Sequence, residues 1–173
     1  MKTGSPPDNE LETMADAYRE LLEKALHKAR EGGASLYHLL GGGHHAAPSA
    51  GTGRPDVAEL ERSVRRDVTD AARYRHETGK DLREWLGFDV ARIEQGLWAA
   101  FSAAADQTLL TLHELRLQAN ASEYHTGELV GLGTLVCDNC NERLHFLKAG
   151  RIPPCPRCGH THFHRPVSGA PLA

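Results

Sequence analysis

The fold of this chain is decided by two short stretches near its end, Cys137-Asp138-Asn139-Cys140 and Cys155-Pro156-Arg157-Cys158, with fourteen residues between them. The 173-residue chain has no other cysteine. Two residues between thiols let one tight turn present both sulfurs to a single ion, and two such turns complete a tetrahedron. The spacing therefore predicts a metal site with four thiolate ligands, Cys137, Cys140, Cys155 and Cys158.

The residues beside the cysteines suit tight turns. Asn141 follows the first pair and Gly159 follows the second. Both residue types tolerate the left-handed conformation, in which backbone N–H groups can turn toward thiolate sulfur. Pro153, Pro154 and Pro156 restrict φ on the approach to the second pair. We therefore expect two rigid turns around the ion.

Zinc is the first expectation for the metal, because four thiolates in a small closed site are typical of structural zinc. Iron is the alternative, since a rubredoxin-type centre also uses paired CxxC turns, and the second often reads Cys-Pro-x-Cys-Gly, as residues 155–159 do. Tetrahedral sulfur suits both ions.

Two disulfides are a less favoured alternative for the four cysteines. The first residues are polar, with no apolar signal region, so we expect a cytoplasmic chain in which the thiols stay reduced.

Charge is distributed unevenly along the chain. The net charge is −3, with −5 over residues 1–127 and +2 over residues 128–173. No run of residues is apolar enough to predict a membrane span. A net charge of +2 around the cysteines is a weak electrostatic footprint for nucleic acid, which usually needs several phosphate contacts.

Apolar spacing predicts helices in the first two thirds of the chain. One amphipathic helix lies within residues 1–31, and residues 55–122 are predicted to form a helical hairpin whose second helix runs from about 82 to 121. The apolar stripe of this long helix indicates either a core against the first two helices or a coiled-coil homodimer seam. Arginines and acids alternate along residues 55–78, which favours a solvated, salt-bridged face over a nucleic-acid surface.

The remaining segments have a different composition. Residues 32–54, rich in Gly, Ala, Ser and His, predict a flexible linker, and residues 167–173 a disordered tail. Residues 123–166 combine aliphatic residues with Gly131 and Gly133, which indicate an irregular strand or a close backbone approach. Leu144, Phe146 and Phe163 are predicted strand residues that cover the metal.

Two parts of the sequence carry a resemblance to a known family. Residues 123–137, followed by the two CxxC pairs, resemble a family of short bacterial proteins that combine a helical N-terminal region with a C-terminal zinc ribbon, and Arg65-Arg66-Asp67 resembles it too. The likeness is specific over residues 123–160 and weaker toward the N-terminus. It implies an α+β protein, an N-terminal helical hairpin or bundle followed by a small β zinc ribbon, without implying a reaction or a substrate.

The leading functional hypothesis is a non-enzymatic protein whose ribbon is a structural or interaction module on a helical scaffold. Four protein thiolates leave no coordination position for water or substrate, and no catalytic or cofactor-binding motif is found. The expected partner is a protein of unknown identity, while nucleic acid is less favoured. The candidate contacts for either partner are Arg143, Lys148, Arg151 and Arg157. The alternative is iron electron transfer, although the Glu-x-x-His motifs of a di-iron bundle are absent from the predicted helices.

Histidines near the end of the chain are a further candidate site. His160, His162 and His164 alternate and so share one face of a terminal strand. They could form a second metal site or a pH-sensitive patch. Exposed histidines without a role are the favoured interpretation, because no carboxylate lies nearby in sequence to orient them. His125 is expected to make a hydrogen bond near Tyr124 rather than to catalyse.

Overall fold

A computed structural model describes residues 8–32, 56–114 and 123–166. The predicted tail, the end of the long helix and almost all of the predicted linker lie outside the described residues. Helices form the first part of the chain: α1 (Asp8–Gly32), α2 (Val57–Thr78), α3 (Leu82–Leu86), a 3-10 turn (Val90–Arg92) and α4 (Gln95–Glu114). None of the helices in these ranges is long and apolar enough to cross a membrane.

The prediction of one long helix over residues 82–121 is wrong in the part that the structure describes. Gly87 ends α3 in the left-handed conformation, with φ at +79°. Thr134 of the following sheet donates from its Oγ1 to the Leu86 carbonyl oxygen, 2.7 Å away, and a Cβ at Gly87 would lie only 2.6 Å from that hydroxyl. The Asp89 side chain then caps the 3-10 turn. The helical pattern is thus interrupted at a glycine that the sheet region approaches closely.

The helices pack into a bundle around one apolar core. Its members include Tyr18, Leu22, Leu60, Val64, Val68, Trp85, Leu86, Leu97 and Phe101. Trp85 is 2% exposed and stacks on Phe101, with ring centroids 5.5 Å apart. The apolar residues of α3 and α4 therefore pack within the bundle, which agrees with the prediction of a core against the first two helices. A homodimer through the same apolar residues stays a prediction.

The second part of the chain forms two small antiparallel sheets. Its strands are β1 (Tyr124–His125), β2 (Leu129–Val130), β3 (Gly133–Cys137), β4 (Arg143–Phe146), β5 (Gly150–Arg151) and β6 (His162–His164). One sheet has the order β1-β6-β3-β4, and β2 pairs with β5 in the other. The fold is thus α+β, with helices first and a small sheet region last, as the sequence predicts.

Glycines let the sheet region approach the helices closely. A Cβ at Gly131 would overlap the Tyr18 hydroxyl of α1 and would lie 3.0 Å from a carboxylate oxygen of Asp67 in α2. Gly133 has a φ of +116°, and a Cβ there would meet Trp85 and a guanidinium nitrogen of Arg165. The close backbone approach predicted at these two glycines is confirmed.

A buried carboxylate connects the helical bundle to the sheet region, at a contact surface that we call the junction. Asp67 of α2 is fully buried. It accepts hydrogen bonds from the Tyr18 hydroxyl at 2.8 Å, from the Gly131 backbone N–H at 2.7 Å and from Arg165 Nη2 at 3.1 Å. The predicted solvated face of α2 is therefore wrong at this position, because the acid is directed into the junction where three donors satisfy it.

Arg165 is the partner that comes from the far end of the sheet region. Its guanidinium is 7% exposed, donates to the Leu132 carbonyl at 2.9 Å and to the Tyr124 hydroxyl at 3.2 Å, and lies over the Trp85 ring at 4.7 Å. Burial by itself lowers the pKa of Arg165, but Tyr124 and Asp67 raise it above its ordinary value. The Arg165 guanidinium therefore stays positively charged although it is buried in the junction.

Further hydrogen bonds connect α2 to the sheet region. Arg66 donates to Glu128 at 2.6 Å and to the Leu129 carbonyl at 2.7 Å, and Arg151 donates to Glu59 at 2.5 Å. Several polar residues of α2 therefore contact the sheet region instead of water. The interpretation of α2 as a solvated helix is corrected here too.

We predict that Asp67→Asn lowers the free energy of unfolding by about 3–5 kcal/mol, the usual cost of leaving one buried charge without its partner. Chemical denaturation with a helix-sensitive signal measures this. Asp16→Asn, which makes the same change on the exposed surface of α1, should stay within about 0.5 kcal/mol of wild type. Equal stability of both variants would contradict the assignment of Asp67 as the centre of the junction.

Candidate metal centre

The four predicted ligands come from two turns of the sheet region. Cys137 ends β3 and Cys140 lies in the turn that follows it, whereas Cys155 and Cys158 lie between β5 and β6. Cys137 and Cys155 are buried, Cys140 is half-buried and Cys158 is exposed. The centre therefore has a buried inner side and an outer side near solvent.

The structure brings all four thiols together. Their sulfurs all lie within 4.8 Å of one another. The Sγ atoms of Cys137 and Cys158 are 3.6 Å apart, and those of Cys140 and Cys155 are 3.5 Å apart. A tetrahedron with metal–sulfur bonds of about 2.3 Å needs sulfurs about 3.8 Å apart. The donor set therefore fits a single ion, and these four cysteines are the residues that could hold it.

Left-handed residues orient the backbone toward the sulfurs, as the sequence predicts. Asn141 has a φ of 61° and Gly159 a φ of 76°. The next N–H groups along the chain, those of Glu142 and His160, donate to the sulfurs of Cys140 and Cys158 respectively. Such bonds stabilise negative charge on sulfur, which is the form that binds a cation.

The pKa values of two thiols in the cluster are shifted in opposite directions. A hydrogen bond from the Asn139 side chain and the His160 N–H lower the pKa of Cys158 to about 6. The Glu142 N–H lowers the pKa of Cys140, but burial and the three neighbouring thiols outweigh it and raise that pKa to about 12. Four adjacent thiolates repel one another, so a bound cation is what allows all of them to ionise.

A small apolar cluster covers the inner side of the centre. Phe163 and Leu135 are buried against Cys137 and Cys155. Leu144 and Phe146 pack against the same cluster, and so does Cys140. The predicted cover by Leu144, Phe146 and Phe163 is confirmed, and it excludes water from one side of the thiols.

The structure separates the three histidines that the sequence groups together. His164 Nδ1 lies 2.5 Å from the carboxylate of Asp138, inside the first CxxC pair. The ring centroids of His160 and His162 are 5.4 Å apart, and those of His125 and His162 are 4.6 Å apart. Sequence reasoning missed the Asp138 contact because Asp138 lies in the turn after β3, 26 positions before His164.

A helical bundle followed by a small antiparallel sheet region with four clustered cysteines defines an α+β zinc-ribbon protein. The comparison with family models agrees: a model described as a zinc-ribbon containing domain matches residues 10–167. The chain belongs to this zinc-ribbon containing domain family.

Relatives of similar length are found in Escherichia coli. The chain is 32% identical over 154 residues to a protein of strain K12 named "Uncharacterized protein YbeL", a match that covers 88% of this chain and 95% of the relative. The proteins of the same name in strains O6:H1 and O157:H7 match to the same extent. No solved structure matches the chain.

We predict that Cys155→Ser loses the metal and that the sheet region then loses its protection from amide hydrogen exchange. Zinc-type sites of this size contribute about 10–16 kcal/mol of apparent binding free energy, which is enough to decide whether a small region folds. Metal analysis and hydrogen-exchange mass spectrometry measure both effects. Pro156→Ala is the matched control, because it changes the same turn without removing a ligand. Retained metal and unchanged exchange in Cys155→Ser would sink the assignment.

Proposed function

We propose that the protein is a non-enzymatic, cytoplasmic zinc protein whose ribbon is a structural and interaction module carried by a helical scaffold. The observation that carries this proposal is the closed four-thiol centre. Zinc in such a centre has no open coordination position at which water could be activated or a substrate bound. Membership of a zinc-ribbon family supports zinc over iron.

The sheet region supplies a surface that suits a protein partner. β4 forms one edge of the four-stranded sheet, and the outer side of an edge strand can pair with an extended segment of another chain. Leu144 and Phe146 of this strand are only partly covered. These features support a partner that adds to the ribbon, while the helical bundle holds the ribbon in one orientation.

Nucleic acid is the less favoured partner, and the contacts of the four candidate cations support this ranking. Arg151 is engaged by Glu59 at 2.5 Å, and Arg157 lies 3.9 Å from Glu142. Within the described ranges, Arg143 and Lys148 have no carboxylate within ion-pair distance. Even with Arg157 counted, because its side chain is 68% exposed, three of these four cations are fewer than nucleic-acid binding usually requires.

Electron transfer by iron in the same centre is the second candidate function. Its support is the Cys-Pro-x-Cys-Gly sequence at residues 155–159 and the two backbone N–H bonds to sulfur, since thiolate tetrahedra accept either ion. Hydrogen bonds to the sulfurs are one of the factors that tune the potential of such an iron.

We predict one tightly held zinc per chain and no visible absorption, measured by elemental analysis and spectroscopy after dialysis against a weak chelator. The weak chelator removes ions that are bound at the surface. One iron per chain with a red, reducible chromophore would favour electron transfer over the zinc proposal. Purified protein without stoichiometric metal would contradict both the structural zinc and the electron-transfer proposals.

We also predict a dissociation constant for duplex DNA weaker than about 1 µM at physiological salt. Fluorescence anisotropy with labelled DNA measures it, and the double variant Arg143→Glu/Lys148→Glu serves as a matched comparison. Submicromolar binding that weakens steeply with added salt and is lost in the variant would make nucleic acid the partner.

A further inference from the structure

Three imidazoles lie beside one another on the surface formed by β1 and β6. His125 and His162 stand directly opposite each other in the antiparallel register of the two strands, and their ring centroids are 4.6 Å apart. The His160 ring lies 5.4 Å from that of His162. Two of the three come from the terminal segment, and the third comes from a strand 37 positions earlier in the chain than His162.

Hydrogen bonds engage the same ring nitrogen of the two paired histidines. His125 Nδ1 lies 2.6 Å from the carboxylate of Glu128, and His162 Nδ1 lies 3.1 Å from the Thr161 hydroxyl. In each ring Nε2 is left as the nitrogen available to an ion. A carboxylate on the far nitrogen of a metal-binding histidine is a common arrangement, because it orients the ring and makes it a better donor.

A second carboxylate lies on the open side of His125. Glu123 is 86% exposed, and its carboxylate lies 3.8 Å from His125 Nε2. It can complete the coordination of an ion held by the imidazoles. The two carboxylates flank β1 in sequence and both lie beside His125, so the pairing of β1 with β6 brings them to the same surface as His162.

We propose that His125, His160 and His162 form a second metal site for a divalent transition ion such as Ni²⁺ or Zn²⁺, separate from the four thiols. Imidazole nitrogen suits these ions. Among the described residues only the thiols already have all donor atoms within 4.8 Å of one another. Binding of an ion would therefore require the imidazole side chains to rotate, and we expect this site to be weaker and more readily exchanged than the thiol centre.

His164 does not belong to this site. It alternates with His160 and His162 along the chain, but its Nδ1 lies 2.5 Å from Asp138 beside the thiol centre, and within the described ranges the ring contacts between histidines join only His125, His160 and His162. It therefore provides a matched control on the same strand. His44 and His45 provide a second control, because they are adjacent histidines in the glycine-rich stretch of the sequence.

The experiment is a calorimetric titration of Ni²⁺ into protein whose thiol centre has been loaded with zinc and measured beforehand. We expect one equivalent of Ni²⁺ to bind. His125→Asn/His162→Asn should weaken binding at least about 100-fold, since two of three ligands are lost, and Glu128→Gln should weaken it about 10–100-fold through its effect on His125. For His164→Asn and for His44→Asn/His45→Asn, the Ni²⁺ dissociation constant should stay within about threefold of wild type. The loss of a coordinating imidazole would raise it by more than that.

A second readout does not depend on variants. In the wild-type protein, paramagnetic Ni²⁺ should broaden the imidazole NMR signals of His125, His160 and His162 before those of His164. The proposal is overturned if wild type binds no Ni²⁺, if the His125/His162 variant binds as wild type does, or if the His44/His45 variant alone abolishes binding. Zinc content of the thiol centre is measured in every sample, so a damaged ribbon is distinguished from a missing second site.

Discussion

The structure depends on one buried ion pair, between Asp67 of α2 and Arg165 after the last strand. A buried pair of this kind is not a large source of stability in itself, because removing two charges from water costs nearly as much as their attraction returns. Its importance lies in what it connects. Asp67 also accepts from Tyr18 of α1 and from the Gly131 backbone. Two helices and two separate segments of the ribbon must therefore be in place before either charge is satisfied.

This constraint links the metal to the helices. β6 carries Phe163, which is buried against two of the cysteine ligands, and Arg165 follows two residues later. If the ribbon opens when the ion leaves, Arg165 loses its position and Asp67 remains as an unpaired charge inside the bundle. The helical core also contains Leu129 and Leu132 from the ribbon. We therefore infer that metal binding stabilises the whole molecule, although its ligands lie at one end.

Much of this architecture could be predicted from sequence, and the failures share a cause. The metal ligands, the left-handed Asn141 and Gly159, and the two helices before residue 79 all follow from interactions between residues close in the chain. Arg165 could not be paired with Asp67 from spacing, since they are 98 positions apart. A signal for the burial of Asp67 did exist: it lies three residues after Val64 in the apolar stripe of α2. The break at Gly87 likewise lies at a long-range contact, with Thr134 of β3.

Thermal unfolding of the zinc-loaded protein tests most directly whether the ribbon and the helical bundle unfold together. Circular dichroism follows the helix content, and a chromogenic chelator follows the release of metal in the same sample. If the ion pair makes the ribbon and the bundle one cooperative unit, the helix signal and the release of metal change together in a single transition. Metal release at a clearly lower temperature, with the helix signal unchanged, would show that the ribbon unfolds alone and would contradict the account.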